Sequence, residues 1–457
     1  MNNQKLNKKS ASNQFNVAKF EGAEYIELYE QHREAIKRDS SELMNAGRDQ
    51  AFDEFRRLGF PTNKLEKYKY TDLRVPLSVE YSLNGGNILS EMNPSDILKS
   101  DVPIVSPYLY YLVNDSFHPI SNENSEQLPQ GVIVESLRSA SEKYPELVKK
   151  YYNRLAGQQN DSMVAFNSAF AKDGFFIYVP ENVVMKHPIQ IVDTLASKVN
   201  FMANGHNLVV VEKGAECRLV VCDHTLDKVH FFANRVTEVF VGENAQYEHY
   251  KLENVHDQTT ILTNLLINQA ASSNVLANIL TLHNGFTRNT IEIDLDGENC
   301  ETMLCGVALC DKNQHADNYT SILHNKPHCH STELFKYVMD DSSYAGFTGR
   351  LLVAKDAQKT QAYQTNRNVL LTKEAKVRTR PQLEIFADDV KCSHGATIGQ
   401  LDESMTFYMR QRGIPEKEAK LLLMFAFAAE VLEDIRIDAF KDEVKLLVEK
   451  RLRGKLN

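Results

Sequence analysis

The chain has 457 residues, of which 42% are hydrophobic and 25% charged, and a formal net charge of −9 with both signs spread along its length. That length calls for two or three structural units around a substantial core, and the acidic balance excludes a general nucleic-acid binder, which presents a basic face. The polar residues 1–15 hold no apolar signal segment, and the longest apolar stretch, Leu421 to Leu432, is too short to span a bilayer and carries Glu430.

In chain order, Tyr25 to Leu58 has apolar residues at helical spacing among Glu, Lys and Arg, and Gly59 and Pro61 end it. A mixed, loop-rich region follows from about Ser95 to Gln159, with a second helical pattern near Ser136 to Ala156. From about Phe175 short β-branched runs recur, each followed by a small polar turn: Val209 to Val211 before Glu-Lys-Gly-Ala, Val239 to Val241 before Gly-Glu-Asn-Ala, Ile291 to Leu295 before Asp-Gly-Glu-Asn. The same unit returns at Leu351 to Val353 and Val369 to Leu371. A solenoid and a sandwich of hairpins both fit this spacing. The solenoid is preferred because no long crossover or helix interrupts the repeat.

After Gly399 the texture changes again. Asp402-Glu403 opens a helix expected to stop near Gly413, and Pro415 suits the first turn of the next one. That helix, Glu416 to Ile435, is apolar on most of its surface, which means that it is either sandwiched inside the protein or used to bind a partner. A last amphipathic helix runs from Phe440 to Leu452.

Motifs narrow the chemistry. The chain has no G-x-x-x-x-G-K-[ST] phosphate loop, no dinucleotide fingerprint and no G-x-S-x-G elbow. The seven cysteines, in a chain expected to be cytoplasmic and reduced, read first as buried apolar residues or metal ligands. Cys217 and Cys222 are five apart, as are Cys300, Cys305 and Cys310; on a strand that spacing sends neighbours to opposite faces, so small buried core residues are the expectation. In the segment from His324 to His330, His328 and His330 are expected to share a strand face, but polar residues around a Pro turn explain them without zinc.

The sharpest local feature is Lys391-Cys392-Ser393-His394-Gly395. On a strand, Cys392 and His394 lie on one face, about 7 Å apart between Cα atoms. A thiolate and an imidazole at that spacing can ligate one metal centre or adjacent irons of a cluster, with the charge of Lys391 favouring thiolate. A nucleophilic Cys–His pair and a bland surface pair stay open, since no third orienting group is identifiable.

The residues around this pair resemble the signature of the SufD family of iron–sulfur cluster assembly subunits. Leu383-Glu384-Ile385 is followed by DDVKCSHGATIGQLDE from Asp388, then Phe407-Tyr408 and Arg412-Gly413-Ile414. Pro61 to Leu73 is similar to the family's N-terminal motif, with Tyr68 where Trp is usual. Phe166-Asn167 with Phe170, Asp173-Gly174, Val179-Pro180 and Pro188-Ile189 fit as well, as do His324, Pro327, Cys329 and Ser331, and Gln358 to Ala362 with Asn366 to Leu371.

The resemblance implies a mainly β protein: a right-handed parallel β-helix core flanked by N-terminal and C-terminal helical domains. The boundaries fall at residues 1–165, 166–400 and 401–457. It implies a non-catalytic scaffold that pairs through the β-helix with a SufB-like subunit and docks a SufC-like ATPase, which supplies ATP hydrolysis, through Phe407, Arg412, Gly413, Leu421, Leu422 and Phe425. No cofactor is permanently bound; iron or a cluster is held transiently in the complex, with Cys392 and His394 as ligands. No membrane or nucleic-acid partner is implied, and a homodimer of the isolated chain stays open. Two other readings are a purely structural interaction subunit and a β-solenoid protein acting on carbohydrate.

Overall fold

The computed structural model describes residues 22–83, 103–118 and 126–455. The opening residues 1–15 and part of the mixed region after Ser95 lie outside the described residues.

The N-terminal helical pattern is broken into three helices, Ala23–Arg38, Glu42–Asn45 and Arg48–Leu58. Ser41 causes one break, because its hydroxyl accepts from Met44 N and caps a new helix. Gly59, at φ 65°, ends the last helix as expected. The pattern near Ser136 resolves into Leu137–Lys143 and Pro145–Tyr151, separated where Pro145 starts a new first turn.

The β-rich middle is a parallel solenoid of about 8 turns. β1 (Tyr108–Val113), β2 (Ser116–His118) and β3 (Ile133–Ser136) precede it; β4 (Phe175–Val179) and β5 (Ile189–Leu195) open it; β19 (Lys391–Gly399) closes it. From β4 onward strands alternate between two sheets. The even-numbered strands with β3 make a nine-stranded sheet, and the odd-numbered strands with β2 make a ten-stranded one. Among the described residues, antiparallel pairing occurs only at one end, between β1 and β2 and between β3 and β4. Elsewhere strands pair in parallel register, as in β12 (Phe286–Leu295) with β14 (His315–His324), where Arg288 meets Asp317, 29 residues on.

One corner of the coil shows why the turns are small and polar. Asn182, Gly214, Asn244, Ser272, Asn299, His328 and Lys359 all hold positive φ between 56° and 66°. Each donates its backbone N–H to a carbonyl of the next coil at 2.7–3.3 Å. Asn and Gly tolerate this conformation best, and every coil reuses it. His328 is one of these corner residues, and the following strand, β15 (His330–Met339), starts only at His330. The two histidines therefore do not share a strand face, contrary to the expectation above. His324 is buried, with Nε2 2.8 Å from Ser331 Oγ, and burial lowers its pKa to about 4.

Side chains pointing into the coil form the main core. Those pointing out of the two sheets are covered by helices. Tyr29, Phe52, Phe55, Phe166 and Phe170 cover Met202, Phe232 and Leu262 of the even-numbered sheet. The helices Glu416–Leu432 and Asp438–Lys455 cover Val220, Leu252, Leu280, Val307 and Val338 of the odd-numbered sheet. The cysteines follow the expected alternation: Cys217, Cys300 and Cys310 belong to the inner core, Cys222 and Cys305 to the outer layer.

Candidate functional site

The solenoid's two ends differ. One is capped by the antiparallel strands β2 and β3; at the other, β18 (Lys376–Ile385) and β19 are the outermost strands of their sheets. Among the described residues each presents one backbone edge with no neighbouring strand, a template for another chain. Pro381 sits inside β18, where a missing N–H is tolerated on an edge. Around this end Ile385, Phe386 and Ile398 are exposed apolar side chains.

Cys392 and His394 lie on this last strand. Register places Cys392 on Ala362 and His394 on Gln364 of β17 (Gln361–Leu370), and both of those side chains are buried in the coil. The pair therefore shares the inward face of the terminal rung, open toward solvent beyond it. Cys392 packs partly on the inner core, while His394 is exposed. Burial pushes the Cys392 thiol up, against the lowering effect of an Ala362 backbone hydrogen bond. Burial thus opposes the thiolate that the charge of Lys391 is expected to favour, and a metal binding here must displace the proton of any thiol. Among the described residues, no three His, Cys, Asp or Glu side chains are grouped to hold a metal ion.

The C-terminal residues named in the sequence divide. Asp402 caps the helix Glu403–Gln411, accepting from Ser404 N and Met405 N, and Gly413 turns the chain at φ 87°. Phe407 is 60% exposed, and the Arg412 guanidinium lies 5.1 Å from the centre of the Tyr408 ring. In the next helix Leu421 is 2% exposed and faces the odd-numbered sheet, so it belongs to the core rather than to an open docking face. Leu422 points outward, and Phe425 is partly buried against the same cluster. Between this region and the last coils lies a cleft of about 590 Å³ lined by Leu370, Leu401, Phe407, Arg410, Lys420 and Met424.

Two comparisons bear on these features. Residues 194–427 match the SufBD core domain of SUF system FeS cluster assembly, and residues 20–191 match the SufBD protein N-terminal region. The chain belongs to the SufBD family. Among its relatives, the iron–sulfur cluster assembly protein SufD of Escherichia coli is 30% identical over 87% of this chain and 90% of its own length. A SufBD family protein of Synechocystis is 28% identical over 90% and 91%, and SufD of Bacillus subtilis 25% over 86% and 91%. The SufBD core match takes in the solenoid from the last residues of β5 and runs into the helix Glu416–Leu432, so helix and sheet lie within one family unit.

Sequence reasoning did not single out the polar side chains beneath the pair. Gln364 and Glu333 are each 1% exposed, and Gln364 Nε2 donates to Glu333 Oε2 at 2.6 Å. Their only signal in the sequence is position: they sit one and two rungs before His394 on the same inward face. Among the described residues no helix is long and apolar enough to cross a membrane.

Proposed function

We propose that this chain is a SufD-type, non-catalytic scaffold for iron–sulfur cluster assembly. It pairs through the open solenoid end with a SufB-like subunit and contributes Cys392 and His394 to an iron or nascent-cluster site formed between them. The observation that carries the reading is the location of these two ligand types: the terminal rung of the solenoid, beside two unpaired strand edges and an exposed apolar rim. Two ligands are too few to hold a cluster, so the partner supplies the others and the site exists only in the complex. Iron is cargo here. Its charge draws the proton off Cys392, and imidazole and thiolate together suit it. The segment around Phe407, Arg412, Gly413 and Leu422 is the proposed dock for a SufC-like ATPase, which supplies ATP hydrolysis.

The test is anaerobic reconstitution of the complex with SufB-like and SufC-like subunits, counting iron and sulfide. Cys392→Ala and His394→Ala should leave folding and subunit pairing intact, because a terminal rung loses little packing, while loading falls. Full loading of the double variant would leave this subunit a structural role alone.

A further inference from the structure

The interior beneath the open end is polar, and its arrangement is specific. In-register stacking puts His394 on Gln364 and Gln364 on Glu333, all on the inward face of successive rungs. The Gln364–Glu333 hydrogen bond fixes the orientation of the amide. Where Glu333 is ionised it only accepts, so the amide nitrogen faces it, as in the 2.6 Å Nε2–Oε2 contact; burial pushes this carboxyl up to about 7, so the lock holds above that pH. The carbonyl Oε1, on the other branch of the amide, is not used by Glu333. This Oε1 is buried and has no hydrogen-bond partner, His394 included; a rotation of the exposed His394 ring onto it would satisfy it. Space for the amide is cleared across the coil by Gly349, where an added Cβ would collide with Gln364 Nε2. The chain thus keeps a fixed, unsatisfied acceptor one rung below an exposed histidine, with strands about 4.8 Å apart.

An imidazole that gives one nitrogen to a metal carries its proton on the other, and that N–H needs an acceptor to hold the ring. We propose that Gln364, locked by Glu333, is the positioning residue of His394: its Oε1 accepts the ring N–H on the side away from the metal and so fixes tautomer and ring direction. This rests on the proposed role of His394 as a ligand. Gly349 belongs to the same device, since any larger residue displaces the amide. Cys392, one position back on the same face, packs on Ala362 and has no such acceptor beneath it, so the device serves the imidazole alone.

Three variants separate the parts. Gln364→Met keeps the shape and removes the acceptor. Glu333→Leu keeps the acceptor but frees the amide to turn. Glu333→Gln retains a carbonyl for Nε2 and should restore the lock. The first readout needs neither metal nor partner: the full-length chain is labelled with ¹⁵N-histidine, and the His394 ring signals are assigned by their loss in His394→Ala. One tautomer should dominate in the wild type and in Glu333→Gln, whereas Gln364→Met and Glu333→Leu should shift toward the mixture of a free imidazole. The second readout is iron affinity of the complex with the SufB-like subunit, which should fall about 10-fold or more in Gln364→Met, the usual loss when a ligand's supporting partner is removed. Unchanged His394 ring signals in Gln364→Met would overturn the proposal. Undiminished iron affinity in His394→Ala would instead overturn the ligand role, and the ring signals would still decide whether Gln364 holds His394.

Discussion

Arg235 lies 5% exposed inside the solenoid wall, with Asp115, Asp193 and Asp223 at 2.7, 3.0 and 2.7 Å. Lys251 and Glu253 extend the same buried group. Burial pushes the Glu253 carboxyl up from 4.5 to about 7, with Lys251 opposing and Asp223 adding. The folded chain therefore holds a proton on Glu253 between these values, where the unfolded chain has released it. Stability must fall as pH rises through that window and level off above it, by up to ~1.4 kcal/mol per pH unit for one proton. Glu253→Gln removes this contribution, so its stability relative to wild type should rise from pH 5 to pH 7; urea unfolding across that range measures it, and parallel curves would contradict it. None of this was legible in the sequence, where Asp115, Asp193, Asp223 and Arg235 look like ordinary polar residues of separate segments. That Cys392 and His394 share a face was legible because they stand two residues apart on one strand. Gln364 was not, because its relation to His394 exists only through the register of successive coils.

The helices and strands divide by how much of their placement is local. The turn at each corner could be read from small polar tetrapeptides, since positive φ selects residue type. The break at Ser41 and the strand start at His330 could not, because a helical pattern continues across the first and a polar segment hides the second. Glu416–Leu432 was recognisable as a helix with apolar residues on most sides, and such a girdle does not say which side is covered. The fold resolves it. Leu421, Met424, Ala428 and Val431 face the odd-numbered sheet, and polar contacts fix the rotation. Lys336, 3% exposed, donates to Phe427 O at 2.9 Å, lies 4.4 Å from the centre of the Phe427 ring and pairs with Glu430. Asn278 Nδ2 donates to Val431 O at 3.0 Å. Lys336 also holds the Glu430 carboxyl below its ordinary range, so this contact is complete above that range and weakens as pH falls through it. Lys336→Met keeps the aliphatic stem and removes the charge and both donors. The helix should open locally more often while the solenoid is unaffected, at about 1–3 kcal/mol for a lost charged hydrogen bond. Hydrogen exchange decides: faster exchange confined to residues 416–432 is expected, and unchanged protection there would show that apolar packing alone sets the rotation.

At the scale of the whole molecule, the solenoid has one capped and one open end, and the proposed function rests on that asymmetry. Solenoids need their ends covered, because each coil buries its interior only against a neighbour. Here helices cover both sheet faces and antiparallel strands cap one end, while β18 and β19 end the stack with most of their inward residues half or fully exposed, Val377 remaining buried. The same C-terminal helices that carry the proposed ATPase dock also cover the odd-numbered sheet. Removing everything after Gly399 would uncover Val220, Leu252, Leu280, Val307 and Val338, so truncation confounds docking with folding and point variants at the rim are the sharper probe. Ile398 is 47% exposed and Phe386 63% exposed, both at the open end. In the isolated chain Ile398→Lys and Phe386→Asp each place a charge where water already reaches, so thermal stability should change little. In a complex closed over this end, the same charges enter an apolar contact, where an unpaired charge acts against the partner. Pairing with the SufB-like subunit should weaken at least 10-fold, about 1.4 kcal/mol, in each variant, and iron loading should fall with it because the shared site is no longer assembled. Binding of the SufC-like ATPase to the isolated chain should persist, since Phe407 and Leu422 are untouched. Titration of each purified variant against each subunit separates the two. Wild-type affinity for the SufB-like subunit in both variants would place the partner away from the open end and remove the proposed source of further ligands for Cys392 and His394.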